Sequence, residues 1–159
     1  MGEPKYFWED FQPGDVLEST RAPVTKAEIL EFAAEFDPQP FHLDEEAAAA
    51  SLLGGLCASG WHTCAMMMRM MCDLYILDSA SLGAPGIEEL RWSKPVFPGD
   101  VLTVRRSCLE RRVSASRPER GLTRFLWEAF NQKGEPVATL RYWALFSRRH
   151  PGPVDGEAG

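Results

Sequence analysis

Between Ser59 and Leu77 the chain reads SGWHTCAMMMRMMCDLYIL, apolar on nearly every face of a helix and broken by only two charges, Arg69 and Asp73. A helix of that pattern is buried in a core rather than laid on a surface. The two charges keep it short of the roughly 20 uninterrupted apolar residues that a membrane span needs. Whatever else this chain does, it must wrap other elements around this segment. Met66, Met67, Met68, Met70 and Met71 cluster inside it. Lacking the paired His or Cys pattern of a metal site, they suit irregular core packing better than a soft ligand box.

The wrapping is expected from the C-terminal half. After a turn around Gly83 to Gly86, strand-like segments run over 87–97, 101–113, 122–132 and 137–147, separated by the turns PGD, SRPERG and KGEP. In the last segment Ala138, Leu140, Tyr142, Ala144 and Phe146 form one apolar row, while Thr139, Arg141 and Ser147 interrupt the other. That alternation is an antiparallel sheet with one face on a core. The fold class predicted is α+β, an antiparallel β-sheet wrapped around a long central helix, forming one domain over residues 1–149. A single-layer wrap leaves an edge and a face underprotected, so a homodimer or higher homo-oligomer is expected to cover them. Residues 150–159, rich in Pro and Gly and acidic, are predicted to be a disordered tail.

Composition narrows the function classes. At 159 residues the chain has the size of one domain, and folding at that length buries roughly two-thirds of the unfolded surface. A net charge of -6 and a pI near 5.1 argue against nucleic acid or an anionic membrane as the main partner. The opening MGEPKYFWED lacks the basic start and apolar run of a signal peptide. Cys57, Cys64, Cys72 and Cys108 stand at no metal-ligand spacing. A reduced, cytoplasmic protein without disulfides or a metal is the expectation.

The N-terminal half carries the chemistry. A Pro-Gly turn over 10–15 leads into a predicted strand over 16–24. Thr25 and Glu28 then make a capping box ahead of Ile29, Leu30, Phe32, Ala33 and Phe36 at helical spacing. That helix must stop before Pro38. The following DPQPFHL is predicted as a stiff extended loop whose prolines hold Asp37, Gln39 and His42 in fixed directions. Asp44 caps a short Ala-rich helix through Ser51, which Gly54 and Gly55 end. By themselves these residues allow a bland reading, with Asp37 capping the turn at Pro38 and His42 satisfied by Asp44. His42-Leu43-Asp44 also has the spacing of a ferrous facial triad, but its distal ligand would have to be His62 in the buried helix or His150 in the tail.

The stretch FDPQPFHLDEEAA resembles the hydratase motif of MaoC-like dehydratases, in which a loop carries Asp, two residues, Pro, one residue and His. RWSKPVFPGDVL resembles the strand and turn that follow the central helix in that hotdog-fold family, and the resemblance runs from about Phe11 to Phe146. It implies a hotdog fold and reversible hydration of a trans-2-enoyl thioester to an (R)-3-hydroxyacyl thioester. It also implies Asp37 and His42 as the acid/base pair and the Gly60 backbone N–H as the oxyanion contact. The partner would be an acyl-CoA or acyl-carrier thioester, with coenzyme A part of the substrate and no separate cofactor. Gln39 stands where the motif has Asn, Glu35 and Phe36 where it has a small residue and Gly, Phe41 where it has an aliphatic, and Ser59 where active members often carry His.

The residue chemistry agrees. Hydration needs a base for water as oxygen attacks Cβ and an acid for Cα, both within hydrogen-bond reach. The thioester oxygen gathers negative charge, which an N–H at a helix N-terminus is suited to hold. Two rivals share the fold: a thioesterase, using a carboxylate to direct water at the carbonyl, and a non-catalytic acyl-thioester-binding protein. Cys57 or Cys64 beside His62 would be a nucleophile pair, but no third group orients that histidine. Arg105, Arg106, Arg111, Arg112, Arg117 and Arg120 form either a solvated strand face or a dock for coenzyme A phosphates.

Overall fold

A computed structural model describes residues 2–153. The strands are β1 (Val16–Thr20), β2 (Ser81–Gly83), β3 (Glu89–Trp92), β4 (Thr103–Val113), β5 (Arg120–Phe130) and β6 (Pro136–Ser147). The helices are α1 (Lys26–Phe36), α2 (Pro40–Leu43), α3 (Glu45–Ala49) and α4 (Gly60–Met71). One antiparallel sheet runs in the order β1-β4-β5-β6-β2, and β3 shares the free edge of β6 with β2. β5 alternates strictly, with Gly121, Thr123, Phe125, Trp127 and Ala129 facing inward. The apolar row of β6 is buried as its alternation requires. Both rows close on α4, whose Met66, Met67, Met70 and Met71 are buried against the sheet. This is the wrapped arrangement of the hotdog fold.

Local signals act where the sequence places them. Thr25 Oγ1 accepts from the Glu28 N–H while the Glu28 carboxylate accepts from Thr25 N–H, and α1 ends one residue before Asp37. Asp44 Oδ1 accepts from Ala47 N–H and starts α3.

Four expectations are corrected. The predicted β1 stops at Thr20, because Arg21 N–H and Val24 N–H leave the ladder for the carbonyls of Leu102 and Asp100. DPQPFHL is not extended throughout: Pro40, with its φ already helical, starts the single turn of α2. A short strand, β2, too brief to show a period, leads into the turn at Gly83 to Gly86. The central segment is neither one α-helix nor buried all round: it passes into a π-helical turn over Cys72–Ile76, and Trp61 and Met68 are 59% and 45% exposed. Of the predicted tail, 154–159 lie outside the described residues, whereas His150 N–H donates to Glu9 and Arg148 to the Gly152 carbonyl. Among the described residues no helix is long and apolar enough to cross a membrane.

The far end of the sheet is closed by the N-terminal segment. Trp8 lies with its ring directly on Gly121, its Nε1–H donating to the Leu122 carbonyl at 3.1 Å. A side chain at position 121 would overlap that ring. Gly121→Ala is expected to lower stability by about 1–3 kcal/mol, the usual cost of overpacking a filled core. Thermal unfolding followed by circular dichroism checks this as a drop of several degrees in Tm.

Candidate active site

Three elements converge on one cavity of about 720 Å³ lined by Asp37, Gln39, His42, Cys57, Gly60 and Trp92 among others. Asp37 is the C-cap of α1, His42 sits in the turn of α2, and Gly60 opens α4. Asp37 and His42 are five residues apart in the chain but reach each other only because α2 turns the loop back on itself. His42 Nε2 and Asp37 Oδ2 stand 3.5 Å apart, too long for a strong direct hydrogen bond and close enough for one small molecule to touch both.

The imidazole is oriented from behind. His42 is 5% exposed, and its Nδ1 lies 2.7 Å from the Cys57 carbonyl oxygen. A carbonyl only accepts, so in the neutral ring Nδ1 carries the proton and Nε2 keeps its lone pair toward Asp37 and the cavity. The Phe41 ring meets the imidazole edge-on at 4.6 Å and blocks its rotation.

Asp37 is held as a carboxylate. Ser59 Oγ donates to Oδ2 at 2.7 Å and Gln39 Nε2 to Oδ1 at 2.7 Å. The Ser59 hydrogen bond, then that of Gln39 and the field of His42, lower its pKa from the ordinary aspartate value against the opposing effect of burial. The longer amide of Gln39 therefore still serves Asp37. Ser59 also caps α4, its hydroxyl oxygen accepting from Trp61 N–H at 3.3 Å. One buried serine thus ties the loop carboxylate to the helix N-terminus. The residue was legible in the sequence as the neighbour of Gly60, but its link to Asp37, 22 positions away, was not.

Gly60 supplies the first N–H of α4, where no intrahelical acceptor exists. Among the described residues no other group takes up this N–H. A Cβ at Gly60 would stand 2.5 Å from Trp92 Cε2, and Trp92 Nε1–H donates to the Gly60 carbonyl at 3.0 Å, so the indole packs flat on this glycine.

The other residues weighed from sequence go elsewhere. His62 is buried and stacked on Phe32, with centroids 4.7 Å apart and planes 8° apart, and burial lowers its pKa. Cys57 Sγ lies 3.8 Å from His42 Nδ1, not beside His62. Burial pushes that thiol up to about 11, which suits an inert core thiol rather than a nucleophile. None of the six arginines lines this cavity. Arg105 pairs with Glu18, Arg111 donates to the carbonyls of Trp8, Glu9 and Phe11, Arg112 lies over Trp143, and Arg120 pairs with Glu119. Arg106 points inward and is buried in the core, contrary to a solvated face.

Residues 10–123 match the profile of the MaoC like domain. The chain belongs to the MaoC-like dehydratase family. The crystal structure of a MaoC-like dehydratase from Rhodospirillum rubrum is 43% identical and superposes with a TM-score of 0.83 over 91% of this chain and 99% of that one. Protein MaoC of Klebsiella aerogenes is 34% identical over 114 residues, 71% of this chain but only 33% of that longer protein. The unliganded R-hydratase PhaJ1 from Pseudomonas aeruginosa, 22% identical, shares the fold at a TM-score of 0.70 over 96% of both chains. Asp37, His42 and Gly60 line one cavity.

Removing the Ser59 hydroxyl tests the electrostatics without reference to turnover. In Ser59→Ala the carboxylate loses the donor that most favours its charged form, so the Asp37 pKa is expected to rise, read by carboxyl-carbon NMR titration. The sign extends to stability. A folded-state value below the unfolded one stabilises the fold above about pH 4 and fades as pH falls through the lowered value, so Ser59→Ala loses part of that contribution.

Proposed function

We propose that this protein is an acyl-thioester hydratase/dehydratase that interconverts a trans-2-enoyl thioester and its (R)-3-hydroxyacyl thioester, with Asp37 and His42 as the acid/base pair. The observation that carries this reading is the convergence of an imidazole Nε2 and a carboxylate, 3.5 Å apart, on a cavity that Gly60, the first residue of α4, also lines.

The protonation states set the order of events. Water bound between the two groups gives one hydrogen to the Asp37 carboxylate as a hydrogen bond and presents the other to His42 Nε2. As the water oxygen attacks Cβ, the π electrons move toward Cα and the thioester oxygen, and His42 takes the proton. The Gly60 N–H, at the positive end of α4, holds the charge on that oxygen. The imidazolium then returns its proton to Cα, and Asp37 stabilises it in the interval. No other proton source is required, because the proton removed from water is the one delivered to carbon. Addition from one side of the double bond is syn and yields the (R)-alcohol. Coenzyme A or a carrier protein enters as part of the substrate.

A homodimer is part of the same reading. Trp61 and Trp92 meet edge to face at 5.2 Å and are both largely exposed, at the open flank of α4 beside the site. Covering them with a second copy would remove exposed aromatic surface and close the cavity mouth.

Loss of enoyl absorbance on adding protein to short, medium and branched trans-2-enoyl-CoA substrates tests the assignment. Turnover is expected in the wild type, and Asp37→Asn and His42→Ala are each expected to lower kcat/KM by about a hundredfold or more. Release of free thiol with no loss of enoyl absorbance would overturn it in favour of thioester cleavage. Unchanged activity in both variants would overturn the acid/base pair.

A further inference from the structure

The chain that leaves β3 runs beside the entrance of α4 and touches it twice. Ala58 N–H donates to the Val96 carbonyl at 2.8 Å, and Trp92 Nε1–H donates to the Gly60 carbonyl at 3.0 Å. Trp92 is itself held by the sheet: it pairs with Ala138 as the last residue of β3, and the next residue donates from Ser93 N–H to the Val137 carbonyl at 2.8 Å. The indole is therefore a strut from the sheet to the first residue of the helix.

Three observations set this strut apart from core packing. Trp92 is 46% exposed and lies outside the buried core cluster. Gly60 has no positive φ, so its conformation does not call for glycine, and a helix is weakened by glycine relative to alanine. What excludes a side chain there is the indole: a Cβ at position 60 would stand 2.5, 2.8 and 2.9 Å from Trp92 Cε2, Cδ2 and Nε1. The third observation concerns the peptide group that carries the Gly60 N–H. Its carbonyl, that of Ser59, accepts from Thr63 N–H at 3.0 Å, and the following carbonyl, that of Gly60, accepts from Trp92. Both neighbouring carbonyls are thus engaged, while the N–H between them has no partner among the described residues.

We propose that Trp92 is a positioning residue for the oxyanion contact: it clamps the first turn of α4 so that the Gly60 N–H keeps the place at which it meets the thioester oxygen. A donor stabilises developing charge most when it need not move to reach it, and a misplacement of about 1 Å costs on the order of a hundredfold in rate. Phenylalanine in place of Trp92 keeps a ring against the glycine but cannot donate to its carbonyl. This inference rests on the acyl-thioester reading above and adds to it a residue 32 positions from Gly60.

The test reads the carbonyl itself. Binding of a saturated acyl-CoA with an isotope label in its thioester carbonyl is followed by infrared difference spectroscopy, which needs no turnover. The hydrogen bond from Gly60 N–H is expected to lower the C=O stretching frequency on binding to the wild type, and Trp92→Phe to return it at least halfway to that of the free thioester. In turnover of trans-2-enoyl-CoA substrates Trp92→Phe is expected to lower kcat about tenfold, with KM changed by less than about twofold and the pH profile, which Asp37 and His42 set, unmoved. A merely structural role would lower the fraction of folded protein and leave the frequency of the bound carbonyl where it was. The same bound frequency in wild type and Trp92→Phe, no shift on adding the thioester to the wild type, or an unchanged kcat in an active enzyme would each overturn the inference. Should Trp92→Phe fail to fold, Gly60→Ala reads the same contact, because its Cβ displaces the indole, and a full shift retained there overturns the inference. A shift that Trp92→Phe abolishes, without turnover of any enoyl substrate, supports the positioning of Gly60 and counts against hydration alone. Turnover without a shift does the reverse.

Discussion

The site depends on the buried hydrogen bond between His42 Nδ1 and the Cys57 carbonyl. It assigns the tautomer, points Nε2 at Asp37, and does so from a loop that is itself pinned, because the next residue donates from Ala58 N–H to the Val96 carbonyl at 2.8 Å. A histidine side chain on a one-turn helix would otherwise sample several rotamers. Locking it against backbone rather than against another side chain ties the orientation of the imidazole to the path of the chain between α3 and α4. Ser59 fixes the carboxylate in the same manner, so that both members of the pair are referred to the same few residues at the entrance of α4.

Two flanks of the sheet-wrapped helix handle buried polarity differently. At the Asp37–His42 cavity the Asp37 carboxylate has a donor at each oxygen and His42 Nδ1 has an acceptor. On the sheet side of α4 the Arg106 guanidinium is buried among the Phe11, Tyr75 and Phe125 rings, and burial raises the Tyr75 hydroxyl to about 12.

The fold and the loop motif were legible for the same reason: both are carried by short-range spacing. A period of two in β5 and β6, a capping box at Thr25, and proline after Asp37 each act within a few residues, and each does in the structure what its spacing demands. The misreadings occurred where distant contacts compete. The all-round apolar helix keeps Trp61 and Met68 exposed, since a six-stranded sheet curls around only part of its circumference. Arg106, indistinguishable in sequence from its neighbour Arg105, is buried because alternation along β4 turns it to the inner face beneath three aromatic rings, while Arg105 faces Glu18 outside.

What the sequence by itself determined is therefore most of the set of elements, the antiparallel wrap, and the loop motif that carries Asp37 and His42. Tertiary structure alone decided that Ser59 donates to Asp37, that the Cys57 carbonyl selects the imidazole tautomer, and that two tyrosines and an arginine meet in the core. Those contacts join residues from 15 to 67 positions apart. Their formation depends on the closure of the sheet around α4, and no local propensity encodes which side chains that closure brings together.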